Sequence, residues 1–146
     1  MTASVVTSAP ALFGSHKSKL GESPVWDADK GRLLWCDITE GLILAADPKG
    51  GVTDRWTFPG KVGSFGLCAS GRFVVGVART VQLFDPANGA LTALVSVDPK
   101  LETNRLNDGK VGPDGAYWVA PWTTGRCARR RARSTASPPT ARPRLS

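Results

Sequence analysis

The chain has 146 residues, enough for one domain, and 41% of them are hydrophobic, which excludes a largely disordered protein. Its formal charge of +7 comes from residues 120–146, where seven Arg stand without an acidic residue, while residues 1–119 are neutral. Nothing in residues 1–119 suggests a phosphate-binding surface, so we expect no nucleic-acid partner. No apolar run reaches the roughly 18 residues of a membrane span, and residues 1–15 lack a secretory signal. We therefore expect a cytoplasmic protein with no membrane partner.

Short apolar runs that each follow a turn glycine predict β-strands along the chain. Gly31, Gly71 and Gly115 open such runs at spacings of 40 and 44 residues, and no stretch shows a helical stripe. A second turn, Asp-Pro followed by Gly, recurs at 47–51 and 85–89. A period of about 40 residues with four strands is typical of a β-propeller blade, although a β-sandwich with similar turn spacing is the alternative. The pattern predicts an all-β chain with blades near 20–60 and 63–102 and the opening of a third at 105–119.

Two polar segments lie where the innermost strand of a blade should begin. The first is Gly-Glu-Ser-Pro around Glu22, and the second is Asn-Arg-Leu-Asn-Asp-Gly around Arg105 and Asn107. Carboxylate and carboxamide oxygens suit a divalent cation, and an arginine can clamp a substrate oxygen pair. Taken singly, each has an alternative: Glu22 as a turn carboxylate, Asn107 in a tight turn, and Arg105 as an ordinary surface cation.

The paired motifs, with Leu-Leu-Trp-Cys-Asp-Ile between them, resemble the family of gluconolactonase, regucalcin (SMP-30) and luciferin-regenerating enzyme over residues 17–119. The resemblance implies a six-bladed propeller, of which this chain supplies about two and a half blades. It also implies one divalent cation (Ca²⁺, Zn²⁺, Mg²⁺ or Mn²⁺) in the central channel and hydrolysis of a sugar lactone by metal-bound water attacking a polarised carbonyl.

The same resemblance assigns residues to roles. Glu22 is expected to be a metal ligand, and Arg105 and Asn107 are expected to bind substrate. The base and the other ligands are expected in later blades, so we expect no catalytic residue in this chain and little or no activity from it alone. Two other functions stay open: a non-catalytic, calcium-binding propeller of the regucalcin kind, and nucleic-acid binding through the basic tail.

The segment 120–146 is predicted to be a disordered tail outside the propeller region 1–119. Where the family usually continues Gly-Thr-Met-Asp-Asp, the chain has Ala-Pro-Trp-Thr-Thr from Ala120. Deleting one base from GC-rich codons converts the first run into the second, so we interpret the tail as a frameshift. Its arginines have no Lys, Tyr or Phe among them, unlike single-strand binders.

The histidine, the cysteines and the tryptophans of the chain are each expected to have a structural role or none in the site. His16, the one histidine, is predicted to be a surface residue. Cys36 and Cys68 are predicted to be buried thiols in a reducing compartment, because the three cysteines match no disulfide or zinc pattern. The five tryptophans are expected to pack between blades.

Overall fold

The computed structural model describes residues 9–97 and 103–123, and within them it contains ten β-strands and no helix. The strands are β1 (Gly21–Asp27), β2 (Arg32–Asp37), β3 (Leu42–Ala46), β4 (Val52–Thr57), β5 (Val62–Leu67), β6 (Phe73–Val77), β7 (Thr80–Phe84), β8 (Leu91–Ser96), β9 (Asn104–Val111) and β10 (Tyr117–Thr123). The all-β prediction is confirmed. No helix that could cross a membrane occurs in the described ranges.

The strands form antiparallel sheets in chain order. The first sheet is β1-β2-β3-β4 and the second is β5-β6-β7-β8, while β9 and β10 pair as a two-stranded third sheet. The turn glycines that mark the repeat, Gly31, Gly71 and Gly115, all have positive φ, which glycine adopts without a Cβ penalty. Two complete blades and the opening of a third are therefore present. Strands β5 and β9 each begin one residue before the predicted blade limits, and β10 ends four residues after them.

The main core lies between the first two blades. Leu34 and Cys36 on β2 face Phe65 and Phe73 of the second blade, and all four are almost fully buried. Trp56 of β4 meets the ring of Phe73 edge-on at a centroid distance of 5.3 Å. Packing between blades is thus confirmed for Trp56, whereas Trp26, Trp118 and Trp122 are 53%, 68% and 46% exposed.

A segment before β1 crosses the opposite face of the first blade. Trp35 Nε1 donates to Ser18 Oγ at 3.0 Å, and the Asp37 carboxylate accepts from the backbone N–H groups of Lys19 and Leu20. The ring of His16 packs 5.8 Å from that of Trp35, with its Nε2 atom buried and without a hydrogen-bond partner among the described residues. His16, predicted to be a surface residue, is partly buried, because this segment folds back over Trp35.

The first strands of the three blades lie side by side and meet at Gly63. Ser23 Oγ of β1 donates to Gly63 O of β5 at 3.3 Å. A Cβ at Gly63 would overlap Leu106 O of β9 and lie 2.5 Å from Asn107 O. Glycine at 63 is therefore required for the third blade to approach the second this closely.

Replacing Gly63 by Ala should destabilise the chain by about 1–3 kcal/mol, the usual cost of forcing extra atoms into a packed site. Gly60→Ala is the matched control, since a Cβ there meets Ala78 Cβ at an ordinary 3.5 Å. Urea denaturation of both variants measures the difference in the free energy of unfolding. Equal stability of the two would contradict the close approach of β5 and β9.

Strand β10 continues to Thr123, beyond the predicted end of the propeller region at residue 119. Pro121 and Trp122 pair with Leu106 and Arg105 of β9, so these residues belong to the third sheet. The strand extends this far because β10 pairs with β9. The sequence after residue 119 gives no local sign of that pairing. The remainder of the predicted tail, residues 124–146, lies outside the described residues.

Candidate functional site

The three inner strands share an irregularity at one level. The register shifts between Glu22 and Val25 in β1, at Gly63 in β5, and across Asn107 in β9. Ser23, Gly63 and Asn107 stand at the same distance before the turn glycines of their blades. Bulges redirect side chains and are common beside functional sites. The inner ends of the three blades thus depart from regular pairing where the predicted site residues lie.

Glu22 lies on β1 next to this distortion. Ser23 has φ of +54°, an uncommon conformation for a residue other than glycine, and Pro24 has no N–H to give to the ladder. Backbone strain of this kind persists only where the surroundings enforce it, and here Ser23 is buried against Gly63. The strained turn fixes the position from which the Glu22 side chain projects.

The Glu22 carboxylate is half-buried and makes no hydrogen bond or ion pair with any other residue of the described ranges. It lines a cavity of about 390 Å³ together with Phe13, His16 and Trp35. Most partly buried carboxylates have a partner, so an unpaired one is chemically suited to a cation. The described residues nevertheless hold no group of three or more His, Cys, Asp or Glu side chains that could enclose a metal ion. Among the described residues Glu22 can therefore supply one ligand of an oxygen-coordinated cation, and the other ligands would have to come from elsewhere.

Arg105 and Asn107 come together on β9. Arg105 Nη1 donates to Asn107 Oδ1 at 2.6 Å and to Leu106 O at 3.1 Å. Leu106 between them is 1% exposed and packs against Val74 and Val81 of the second blade. The buried leucine anchors β9 while its two neighbours are left partly exposed at the inner edge of the blade.

The structure joins two of the three predicted site residues directly. Arg105 and Asn107 are hydrogen-bonded, whereas Glu22 has no contact of that kind with either within the described residues. The link is by strands: β1 contacts β5 through Ser23 and Gly63, and β5 contacts β9 through Gly63 and Leu106. The three side chains therefore belong to the same end of adjacent inner strands.

Trp122 is a feature of this site that the sequence patterns missed. The Arg105 guanidinium carbon lies 4.8 Å from the centroid of the Trp122 ring, in a cation–π arrangement. The feature that places Trp122 beside Arg105 is their pairing across β9 and β10. This pairing could be inferred only if β10 were known to extend past residue 119.

The cysteines differ in environment. Cys36 is fully buried, and burial raises the pKa of its thiol, with Glu22 and Asp37 adding to the shift. Cys68 is only partly buried, so the prediction of two buried thiols holds for one of them. Cys127 lies outside the described residues. Because reactivity requires the thiolate, Cys36 is a packing residue and not a nucleophile.

A second contact missed by the sequence patterns joins the second and third blades. The hydroxyl groups of Ser64 and Tyr117 are hydrogen-bonded at 2.7 Å, with Ser64 fully buried. Burial raises the pKa of Tyr117 to about 12, although the hydrogen bond with Ser64 opposes the shift. Tyrosine normally titrates near 10, so it is burial, and not the contact with Ser64, that favours the neutral phenol.

Tyr117 is the only tyrosine of the chain, so its titration can be followed by tyrosinate absorbance. We expect a midpoint near pH 12 in the folded chain and about 10 in denaturant. Because the unfolded state releases this proton first, stability present below pH 10 should be lost as pH rises from about 10 to about 12. A folded-state midpoint near 10 would show that β10 does not bury this side chain.

The family model for the SMP-30/gluconolactonase/LRE-like region matches residues 20–135. The chain belongs to this family. It is 37% identical over 103 residues to 6-deoxy-6-sulfogluconolactonase of Pseudomonas putida, covering 70% of this chain and 35% of that protein. Identity to regucalcin of Xenopus laevis is 35%, covering 70% and 34% of the two chains. L-arabinolactonase of Azospirillum brasilense is 32% identical, over 73% of this chain and 35% of that enzyme.

Solved structures of the family agree with the fold. Luciferin-regenerating enzyme superimposes with a TM-score of 0.67 at 29% identity, over 74% of this chain and 38% of that one. A calcium-binding protein, regucalcin, from Agrobacterium tumefaciens also gives 0.67, at 26% identity, over 73% and 36% of the two chains. The propeller prediction is confirmed. The chain spans about a third of the length of the curated relatives it matches.

Proposed function

We propose that this chain carries part of the central site of a sugar-lactone hydrolase. In that site Glu22 is one ligand of a divalent cation, and Arg105 and Asn107 bind the substrate. The observation that supports this most is the arrangement of β1, β5 and β9, which brings the unpaired Glu22 carboxylate and the Arg105–Asn107 pair to one end of adjacent inner strands. The lactonases among the relatives supply the reaction class.

In this proposal Glu22 would bind the cation, while Arg105 and Asn107 would bind and orient the substrate. Glu22 would contribute one anionic oxygen to the cation, which when bound supplies Lewis-acid polarisation of the lactone carbonyl. Arg105 is held by Asn107 Oδ1 and Leu106 O, so its orientation is set before substrate arrives. Pre-orientation of this kind lowers the entropy lost on binding. Asn107 keeps its amide N–H donors for substrate hydroxyls.

A chimera tests this proposal. Residues 20–123 of this chain would replace the matching segment of the P. putida sulfogluconolactonase, which supplies the rest of a propeller. We expect lactone opening by the folded chimera in the presence of Ca²⁺, Zn²⁺ or Mn²⁺, and no opening above the uncatalysed rate by the 146-residue chain alone. A folded chimera without activity, or full activity of the 146-residue chain, would contradict the proposal.

Calcium binding without catalysis is the second candidate function, because regucalcins are among the relatives. Under that alternative the chimera would bind Ca²⁺ through Glu22 and fail to open lactones. Calorimetric titration of the chimera with Ca²⁺, run beside the lactone assay, therefore separates the two functions.

A further inference from the structure

The Trp122 side chain lies against the Arg105 guanidinium at the inner edge of the third blade. The two residues are cross-strand partners in β9 and β10, and the guanidinium carbon is 4.8 Å from the ring centroid. The indole is 46% exposed, so the contact sits at the surface of the site and not in the core. One face of the guanidinium is thus covered by an aromatic ring.

The hydrogen bonds of Arg105 leave one edge of the guanidinium available. Of its five N–H donors, the two on Nη1 are directed to Leu106 O and Asn107 Oδ1. Within the described part of the chain, Nε and Nη2 make no hydrogen bond or ion pair. The guanidinium is therefore held on one nitrogen and across one face, with the Nε–Nη2 edge open.

An open Nε–Nη2 edge has a specific chemical complement. Its two parallel N–H groups match the two oxygens of a carboxylate, which binds such an edge bidentately. Ring opening of a lactone by water converts an uncharged ester into a carboxylate, so substrate and product differ in how strongly this edge attracts them. The edge is suited to the ring-opened acid.

We propose that Trp122 is a positioning residue that holds Arg105 with its Nε–Nη2 edge open to the carboxylate of a small hydroxy acid, the ring-opened form of the lactone. The proposal rests on the lactonase function for the identity of the acid. The contact between Trp122 and Arg105 stands independently of it. Rotation of the guanidinium away from the indole would lose the cation–π contact and redirect the open edge.

The chain offers matched controls. Trp118 lies on the same strand, is 68% exposed and pairs with Lys110, and within the described residues it stacks on no cation. Trp118→Ala therefore removes an exposed indole from β10 without touching Arg105. Trp122→Met keeps apolar bulk but has no aromatic face, whereas Trp122→Phe keeps the face.

The experiment follows the Arg105 Nε–H resonance by NMR in the complete chain, during titration with sodium D-gluconate. In the wild type we expect a ring-current shift from Trp122, slow solvent exchange and a gluconate-dependent shift. Trp122→Ala and Trp122→Met should lose the ring-current shift and weaken gluconate binding about fivefold. Trp122→Phe and Trp118→Ala should behave like the wild type, with unchanged backbone amide spectra.

Three results would overturn the proposal. An Arg105 resonance that is the same in Trp122→Ala and wild type would show that the ring does not hold the guanidinium. Full gluconate affinity in Trp122→Met would show that Trp122 contributes only apolar packing and that its aromatic face is not needed to position Arg105. Absence of any gluconate-dependent shift of the Arg105 resonance in the wild-type chain would show that the Nε–Nη2 edge does not bind the carboxylate. Failure of the proposed lactonase function shows instead as an inactive chimera, without altering the Arg105 resonance.

Discussion

Glu22→Gln in the chimera should lower the rate of lactone opening by more than about 100-fold. Changes in groups that only support a metal ligand commonly cost 10–100-fold, so loss of the ligand charge itself should cost more. Glutamine keeps the length and one oxygen of the side chain but removes the negative charge that a divalent cation requires. The half-buried carboxylate has no partner in the described residues, so its replacement breaks no hydrogen bond or ion pair among them.

Glu40→Gln is the control for that result. Glu40 forms an exposed ion pair with Lys19, with 2.5 Å between Nζ and Oε1. Such surface pairs contribute little to stability, and we expect activity within about twofold of the unmodified chimera. Both variants are assayed for lactone opening and titrated with metal. Retention of activity and of metal affinity in Glu22→Gln would show that Glu22 is not a ligand.

The blades could be predicted from sequence because their markers are local. A turn glycine with positive φ followed by an apolar run fixes each hairpin within a few residues, as at Gly31 and Gly71. The innermost strands could then be assigned by order alone. The distortion of β1 also had a signal, since Pro24 removes one ladder donor beside Glu22.

Residues whose environment depends on distant partners could not be predicted in this way. His16 is partly buried because the segment before β1 folds across Trp35. Trp122 lies against Arg105 because β10 keeps its pairing with β9 past residue 119. In each case the deciding contact joins segments many residues apart, and neither composition nor spacing encodes it.

The close approach of the inner strands β5 and β9 depends on the same kind of contact. No local pattern indicates that Gly63 must lack a side chain, because the atoms that would clash with it belong to β9. The sequence therefore proposes candidate site residues by type, while the packing of β5 against β9 depends on contacts between distant residues.

Leu106→Ala should destabilise the chain by about 2–5 kcal/mol, the range for truncating a buried leucine. Leu106 is 1% exposed against Val74 and Val81, and its backbone N–H donates to Ala78 O at 2.6 Å. Leu94→Ala is the control, because Leu94 is 54% exposed and its truncation should change stability by less than about 0.5 kcal/mol. Urea denaturation of both variants measures the difference.

Leu106 also separates packing from site geometry. Its side chain faces the second blade, while Arg105 and Asn107 on either side are hydrogen-bonded to each other at the inner edge. If packing of Leu106 is what holds the pair in place, Leu106→Ala should broaden the Arg105 Nε–H resonance under conditions where the chain is still folded. A sharp, unshifted resonance in a destabilised variant would show instead that the Arg105–Asn107 hydrogen bond and the Trp122 ring suffice to hold the guanidinium. Stability and orientation at this site would then depend on different residues of β9 and β10.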